Sequence, residues 1–412
     1  MRLDPKEHDW LVGPVSDIFK ALPKGSTRFV GGCVRNALLG APIGDVDLAT
    51  QLQPDEVIAA LKKAEIKYVP TGIDHGTLTA VINSVPYEIT SLRKDVETDG
   101  RRAIVAFTKD WAEDAQRRDL TINALYSSPD GEVFDPCGQG LVDIDNLRLR
   151  FVGDADLRIK EDYLRILRFF RFLAWYGGEG VVDAEALRAC RENRAGLKSL
   201  SSERVWTEMK KLLSAPDPSR AIRIMQTNEV LETIFPEASN SEGLDLMVKL
   251  EKAEKLAPDY MLRLMAMSAR DEFAMAGFCK RLKVSNLEKA RLLSWASNQV
   301  GFSPEMTERD LKIGTYASTP QTAYDRMMIR AAGEGDADKV AGWVKNAYFC
   351  RDWPIPEFPV SGKDLGEHGV DSGPQMGKVL RALQQLWIRS GFEADKDKLL
   401  TAYAVMFKPK SH

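Results

Sequence analysis

The chain has 412 residues, 44% hydrophobic and 28% charged, with 57 Lys and Arg against 60 Asp and Glu and a net charge of −3. This describes a globular protein of two to four domains. It excludes a chain that coats long nucleic acid nonspecifically, which would be basic, and it confines any RNA contact to local basic patches.

No apolar run reaches the length of a membrane helix, and the polar, acidic start Met1–Trp10 is unlike a signal peptide. Cys33, Cys137, Cys190, Cys279 and Cys350 are scattered, with no CxxC pair. They argue for a reducing compartment, the cytoplasm, and against a disulfide framework or a zinc knuckle.

Arg28-Phe29-Val30 reads as a strand running into the turn Gly31-Gly32, followed by a short helix, Val34 to Leu39, closed by Gly40. The next strand carries Asp45 and Asp47. Strand residues two apart share a face, and like charges there repel unless a cation lies between them. A hard divalent ion such as magnesium takes such oxygen ligands and leaves room for substrate phosphates. A glycine turn ahead of a helix offers bare N–H groups to those phosphates. A lone Gly-Gly or Asp-x-Asp would carry little weight; the combination carries more. The G-x-G-x-x-G dinucleotide spacing is absent.

Further along, Gly72–Thr77 is a turn, in which His75 orders the sheet, before a strand at Leu78–Ile82. Val85–Thr90 reads as its antiparallel partner and carries Glu88, a candidate third carboxylate. Arg93 to Arg102 is charged and weakly apolar, with Asp99-Gly100 as a turn signal, and reads as a mobile loop. Glu113–Ala124 is amphipathic and contains Arg117-Arg118-Asp119. Val133-Phe134 is a strand entering the turn Asp135–Gly140. His8, His368 and His412 have no metal-like spacing.

From about 151 the period is helical, with segments expected at 156–176, 183–192, 201–214, 217–228, 242–255, 258–268, 286–297, 319–332, 336–347, 374–389 and 396–406. Trp353–Pro359 is proline-rich and marks an internal boundary. Treated as one helix at about 100° per residue, 156–176 places Asp162, Arg165, Arg168 and Arg171 along one arc. Ile159, Tyr163, Ile166, Leu167, Phe170 and Ala174 form an apolar face. An i,i+3 ion pair suits Asp162–Arg165. Arg168 and Arg171 have no acidic neighbour on that arc, so they call for an external anion or a base edge.

These stretches resemble the class II tRNA nucleotidyltransferase and bacterial poly(A) polymerase family, within the DNA polymerase β superfamily. Gly31–Asp47 resembles the family's first motif, except that Asn36 stands where Asp is usual. Arg117–Ala124 resembles its RRDFTINA at seven of eight positions, with Leu120 for Phe. Glu161, Asp162, Arg165 and Arg168 match EDxxRxxR. Ser201–Glu208 resembles the fifth motif, a helix with an N-cap serine that buttresses the nucleotide helix. Ser361–Leu365 and Ser372–Gly377 resemble the family's tail. The resemblance covers most of 28–215 and 358–406; between about 216 and 350 it is only a helical outline.

The resemblance implies an α+β polymerase β-like nucleotidyltransferase head (1–150), then an all-α neck (151–215), body (216–352) and tail (353–412). It implies CCA addition to the tRNA 3′ end from CTP and ATP. Asp45 and Asp47 would hold two Mg2+ ions, with Glu88 as third carboxylate. Gly31, Gly32, Arg35, Arg118, Asp119, Asp162, Arg165, Arg168 and Arg171 would bind the nucleotide. Asp162 and Arg165 would read the edge that C and A share, while Arg168 and Arg171 would meet the triphosphate or hold that pair in position. Asn123 suits a structural or a binding role equally. The tail would contribute to tRNA binding, and the tRNA partner would be held at its acceptor end and elbow.

Alternatives are a poly(A) polymerase, a partial enzyme adding only CC or A, and a noncatalytic RNA-binding protein. The interval Tyr68–Gly76 lacks the basic run of poly(A) polymerases, the loop near 93–110 is full length, and Asp45 and Asp47 are intact.

Overall fold

A computed structural model of the chain describes residues 1–99 and 102–407. The chain divides after Ser239 into two compact units. In the first, a seven-stranded sheet has the order β3-β4-β5-β2-β1-β8-β9. Its strands are β1 (Thr27–Val30), β2 (Asp47–Thr50), β3 (Lys67–Gly72), β4 (Thr77–Ile82), β5 (Val85–Ser91), β8 (Tyr126–Ser127) and β9 (Val133–Phe134). Only β2 and β5 run parallel; the other pairs are antiparallel, including the expected β4–β5 hairpin. Phe29, Leu48 and Ile89 are fully buried on the covered face. Alternation with period two then sends Glu88 to the open face.

Local geometry overturns three expectations. Asp45 is not in a strand, since β2 begins at Asp47. Pro42 and Gly44 precede it, one lacking an N–H and the other a side chain to pack, and both weaken a strand. The in-register neighbour of Asp47 is instead Glu88, across the parallel β2–β5 pair.

The segment beginning at Arg93 is not an irregular loop. Strands β6 (Arg93–Asp99) and β7 (Arg102–Phe107) form a separate two-stranded ladder. The apolar run Ala103–Phe107 supplies the partner that the charged half lacks by itself. Gly100, half of the expected Asp99-Gly100 turn, lies outside the described residues.

Finally, 156–176 is two helices, Ala155–Glu161 and Leu164–Tyr176. Asp162 between them is extended, at φ −157° and ψ 105°. Its Oδ1 accepts from the Leu164 N–H at 3.1 Å, and a short carboxylate that bonds the backbone locally competes with helix continuation. Asp162 therefore drops out of phase with Arg165, Arg168 and Arg171. Beyond the break the apolar face holds, with Ile166, Leu167 and Phe170 fully buried. Ser201 occupies the N-cap of Ser202–Leu213, as expected, without bonding that helix through its side chain.

The second unit is helical. Two apolar clusters form there, one drawn from Met247 to Cys350 and one from Val360 to Tyr403. The proline-rich stretch lies between them in sequence and is packed: Phe358 meets Trp387 at 5.4 Å and Trp353 meets Phe392 at 5.2 Å between ring centroids. Helices at Glu272–Leu282 and Glu308–Ala317 add to those expected. Among the described residues, no helix is long and apolar enough to cross a membrane.

Candidate active site

The largest convergence of chemistry in the first unit is a cavity of about 570 Å3. Gly31, Gly32, Arg35, Asp47, Glu88, Arg118, Asp119, Arg168 and Arg171 all line it. Residues more than a hundred positions apart in the chain thus face one space. Asp45, Asp162 and Arg165 are not part of its lining.

At the turn, Gly31 has φ +71°, a conformation in which a side chain is strained. A Cβ there would lie 3.6 Å from the Arg118 guanidinium. The turn places Arg35, which is 7% exposed, across the cavity wall. Arg35 donates to Asn123 Oδ1, to Asn36 Oδ1 at 2.8 Å and to the Tyr176 hydroxyl at 2.9 Å. Asn36 in turn donates to the Pro42 carbonyl at 2.6 Å. The amide at position 36 therefore acts as a tie between Arg35 and the segment before Asp45.

Burial raises the Asp47 carboxyl to about 6, and the Glu88 and Asp45 carboxylates add to the shift while Arg118 opposes it. The three acids therefore sense one another, although Asp45 sits before the strand. Among the described residues, no three acidic, His or Cys side chains close into a ready-made metal cage. The donor set still fits a hard divalent cation, since magnesium takes one or two carboxylates, keeps waters and completes its shell with substrate phosphates.

The cationic wall has its own anchors. Asp114, 1% exposed, accepts from Arg117 at 2.7 Å, from Arg118 at 3.0 Å and from the Tyr126 hydroxyl at 2.7 Å. Burial would raise its pKa, but Arg118 and Arg117 outweigh that and hold it at about 2. Asp119 accepts from Arg168 and from Asn123, at 2.6 and 3.0 Å. It too is held at about 2, chiefly by Arg168 working against burial. Asn123 thus bridges Arg35 and Asp119, which is a structural role.

Arg171 pairs with Glu208 at 3.0 Å. The acids that Arg168 and Arg171 lacked on their own helix come from Asp119 and from the helix Ser202–Leu213. Spacing along one helix could not reveal them. Asp162 pairs with Arg204 at 2.6 Å, and Arg165 with Glu161 at 2.5 Å, rather than with each other.

Sequence reasoning passed over Asp114, Glu208, Tyr176 and Trp175. Asp114 had a signal: it stands three and four residues before Arg117 and Arg118. Glu208 lies within a stretch already singled out. Tyr176 and Trp175 line the cavity through tertiary placement alone. The lining carries six arginines and Lys211 against three carboxylates, Asp47, Glu88 and Asp119. It suits a polyanion delivered with a cation.

Residues 27–150 match the family model described as the Poly A polymerase head domain. Residues 182–242 match the one described as the probable RNA and SrmB-binding site of polymerase A. The chain is 35% identical to CCA tRNA nucleotidyltransferase 1, mitochondrial, of Danio rerio, over 97% of this chain and 93% of that protein. It is 43% identical to the CCA-adding enzyme of Streptococcus pyogenes serotype M2, over 89% and 90%. The crystal structure of the Bacillus stearothermophilus CCA-adding enzyme in complex with CTP is similar at TM-score 0.76 and 26% identity, covering 98% of each chain.

Proposed function

The chain belongs to the family of CCA-adding tRNA nucleotidyltransferases, and from that premise we propose how its cavity performs the reaction. The enzyme adds C, C and A to the tRNA 3′ end from CTP and ATP, without a nucleic-acid template, and releases pyrophosphate. The observation that carries the site reading is one cavity lined at once by Asp47, Glu88 and the arginine wall.

Asp45 and Asp47 would hold two magnesium ions, with Glu88 beside Asp47 as third carboxylate. Bound there, such ions would supply Lewis acidity, to lower the pKa of the 3′-OH and to neutralise charge on the leaving pyrophosphate. Arg35, Arg118, Arg168 and Arg171 receive the triphosphate oxygens, for which planar guanidinium forks are suited. Gly31 and Gly32 let the phosphates approach the backbone. Asp119, ionised at neutral pH, orients Arg168 and can accept from a ribose 2′-OH.

Asp162 and Arg165, outside the lining but next to the helix turn that brings Arg168 into it, select the base. Asp162 accepts from the exocyclic amine that C and A both carry, and Arg165 donates to N3 of C or N1 of A. U and G present the opposite polarity. Ion pairing leaves capacity for this. Each Asp162 oxygen has two lone pairs and accepts one bond. Arg165 donates three of its five N–H groups, to Arg158, Glu161 and Arg117.

We retain head, neck, body and tail as the functional division, with the tail contributing to tRNA binding. We assign the cytoplasm as the compartment, on the scattered cysteines with no CxxC pair. The test supplies purified protein with tRNA ending before, within and after CCA, with CTP and ATP apart and together, and sequences the 3′ ends. Products completed to CCA and no further support the reading; poly(A) tails, or arrest at CC with both nucleotides present, overturn it.

A further inference from the structure

A net charge of −3 confines RNA contacts to local concentrations of basic groups, and the second unit contains one that the reaction does not use. A cavity of about 420 Å3 there is lined by Arg270, Arg326 and Arg330, together with Trp295 and Phe302. Arg326 and Arg330 lie four residues apart on the helix Pro320–Ala332, and so share a face. Arg270 comes from the segment that follows the helix Tyr260–Met267.

Arg326 is half-buried. It donates to Asn298 Oδ1 at 3.0 Å and to the Val300 carbonyl, and its guanidinium lies 5.7 Å from the Phe302 ring centroid. Those partners are neutral, so they fix the group without cancelling its charge. Burial lowers its pKa to about 10, helped by Arg270 and Arg330, which are of the same sign. Two other arginines of this unit are compensated by acids. Arg291 meets Asp259 and Asp325 at 2.6 and 2.7 Å, and Arg263 meets Glu251 at 2.7 Å. Three guanidinium groups around one cavity repel unless an anion enters, and phosphate oxygens match their geometry. Arg270 and Arg330 are exposed, within reach of a polymer lying over the opening.

We propose that this cavity binds phosphate oxygens of the tRNA backbone, with Arg270 and Arg330 at its rim and Arg326 at its base. The choice of tRNA as the source of those phosphates rests on the assigned CCA addition; the anion site itself does not. The second unit would thereby hold the substrate by its backbone, independently of the nucleotide being added.

The test uses the full chain with Arg270→Gln, Arg330→Gln and both together. These side chains are exposed, so the fold is preserved, and Arg326 is left in place because it ties down the 298–300 segment. Binding of tRNA lacking CCA is measured over a salt series, with KM for tRNA and for CTP, and with calorimetric titration of inorganic pyrophosphate alone. The double variant should bind tRNA on the order of tenfold more weakly. Its slope of log K against log salt should fall by about one for each phosphate that is no longer neutralised. KM for tRNA should rise while KM for CTP is unchanged. An unchanged tRNA affinity and slope overturns the proposal. So does loss in the variant of one pyrophosphate site, beyond the one at the active-site arginines, while tRNA binding is kept, which would make this a site for free phosphate. If wild-type protein added no CCA, the assigned activity would fail. The binding comparison, which needs no turnover, would still decide the cavity.

Discussion

Asp47 and Glu88 are register partners on adjacent parallel strands, and Asp45 joins them from the segment before the strand. Burial together with this crowding is what raises Asp47, and a divalent cation held there would relieve the repulsion while adding Lewis acidity. Asp45→Ala or Asp47→Ala should therefore abolish C and A addition together, by on the order of a thousandfold or more. Asp45 is exposed, so its variant should melt like wild type. Near-normal CTP incorporation by either variant would sink the metal assignment. Asp162 makes a separate prediction. If it reads the base, Asp162→Ala should relax selection against UTP and GTP by roughly 1–3 kcal/mol, the usual worth of a polar base contact. Arg204→Ala removes its ion-pair partner and spares the base contact. Equal misincorporation by the two variants, at the wild-type level, would reduce Asp162 to a structural salt bridge.

At the level of elements, β6 and β7 form a ladder of their own, apart from the seven-stranded sheet. One pocket must accept a pyrimidine twice and then a purine, so some element has to adjust, and this ladder, tied at its base by Arg117 to the Arg93 carbonyl and by Lys94 to Glu113, is the candidate. Shortening this hairpin by deleting residues 98–103 should leave CC addition largely intact and depress the final A. The measurement is product length on tRNA lacking CCA, with both nucleotides present. Equal loss of C and A would make the hairpin plain support for the head. The helix break at Asp162 belongs to the same scale. Spacing alone makes 156–176 a continuous helix with an Asp–Arg ladder. The bond from the Leu164 N–H to Asp162 ends one helix and starts the next. Periodicity reports which face is apolar; it is blind to a single carboxylate that satisfies the backbone locally.

Across the whole molecule, burial of charge ties stability to pH. Asp114 and Asp119 both have pKa values near 2 when folded, against an ordinary 3.8. Depressed carboxylates stabilise the fold above their unfolded pKa, and the contribution disappears as pH falls through the folded value. The window is therefore about pH 4 down to about 2, with about 2 kcal/mol at stake for each group. Asp114→Asn should be less stable at pH 7, because Arg117 and Arg118 lose their anchor, yet lose less stability than wild type between pH 5 and 2. Parallel acid curves in urea melts of the two proteins would refute the coupling. Much of this was legible in the chain: the glycine turn, the Asp-x-Asp pair, Arg117-Arg118-Asp119 and the apolar face of Leu164–Tyr176 are local patterns of spacing. Periods of two and 3.6 and turn chemistry place these motifs on strands, helices and turns; fold class and activity came from their resemblance to a known family. Only the tertiary structure decided the partners. Glu88 beside Asp47, Asp119 beneath Arg168, Glu208 against Arg171 and Arg204 on Asp162 are contacts between residues far apart in sequence. Ion pairs act over a few ångströms of space and carry no signature in the order of residues along the chain.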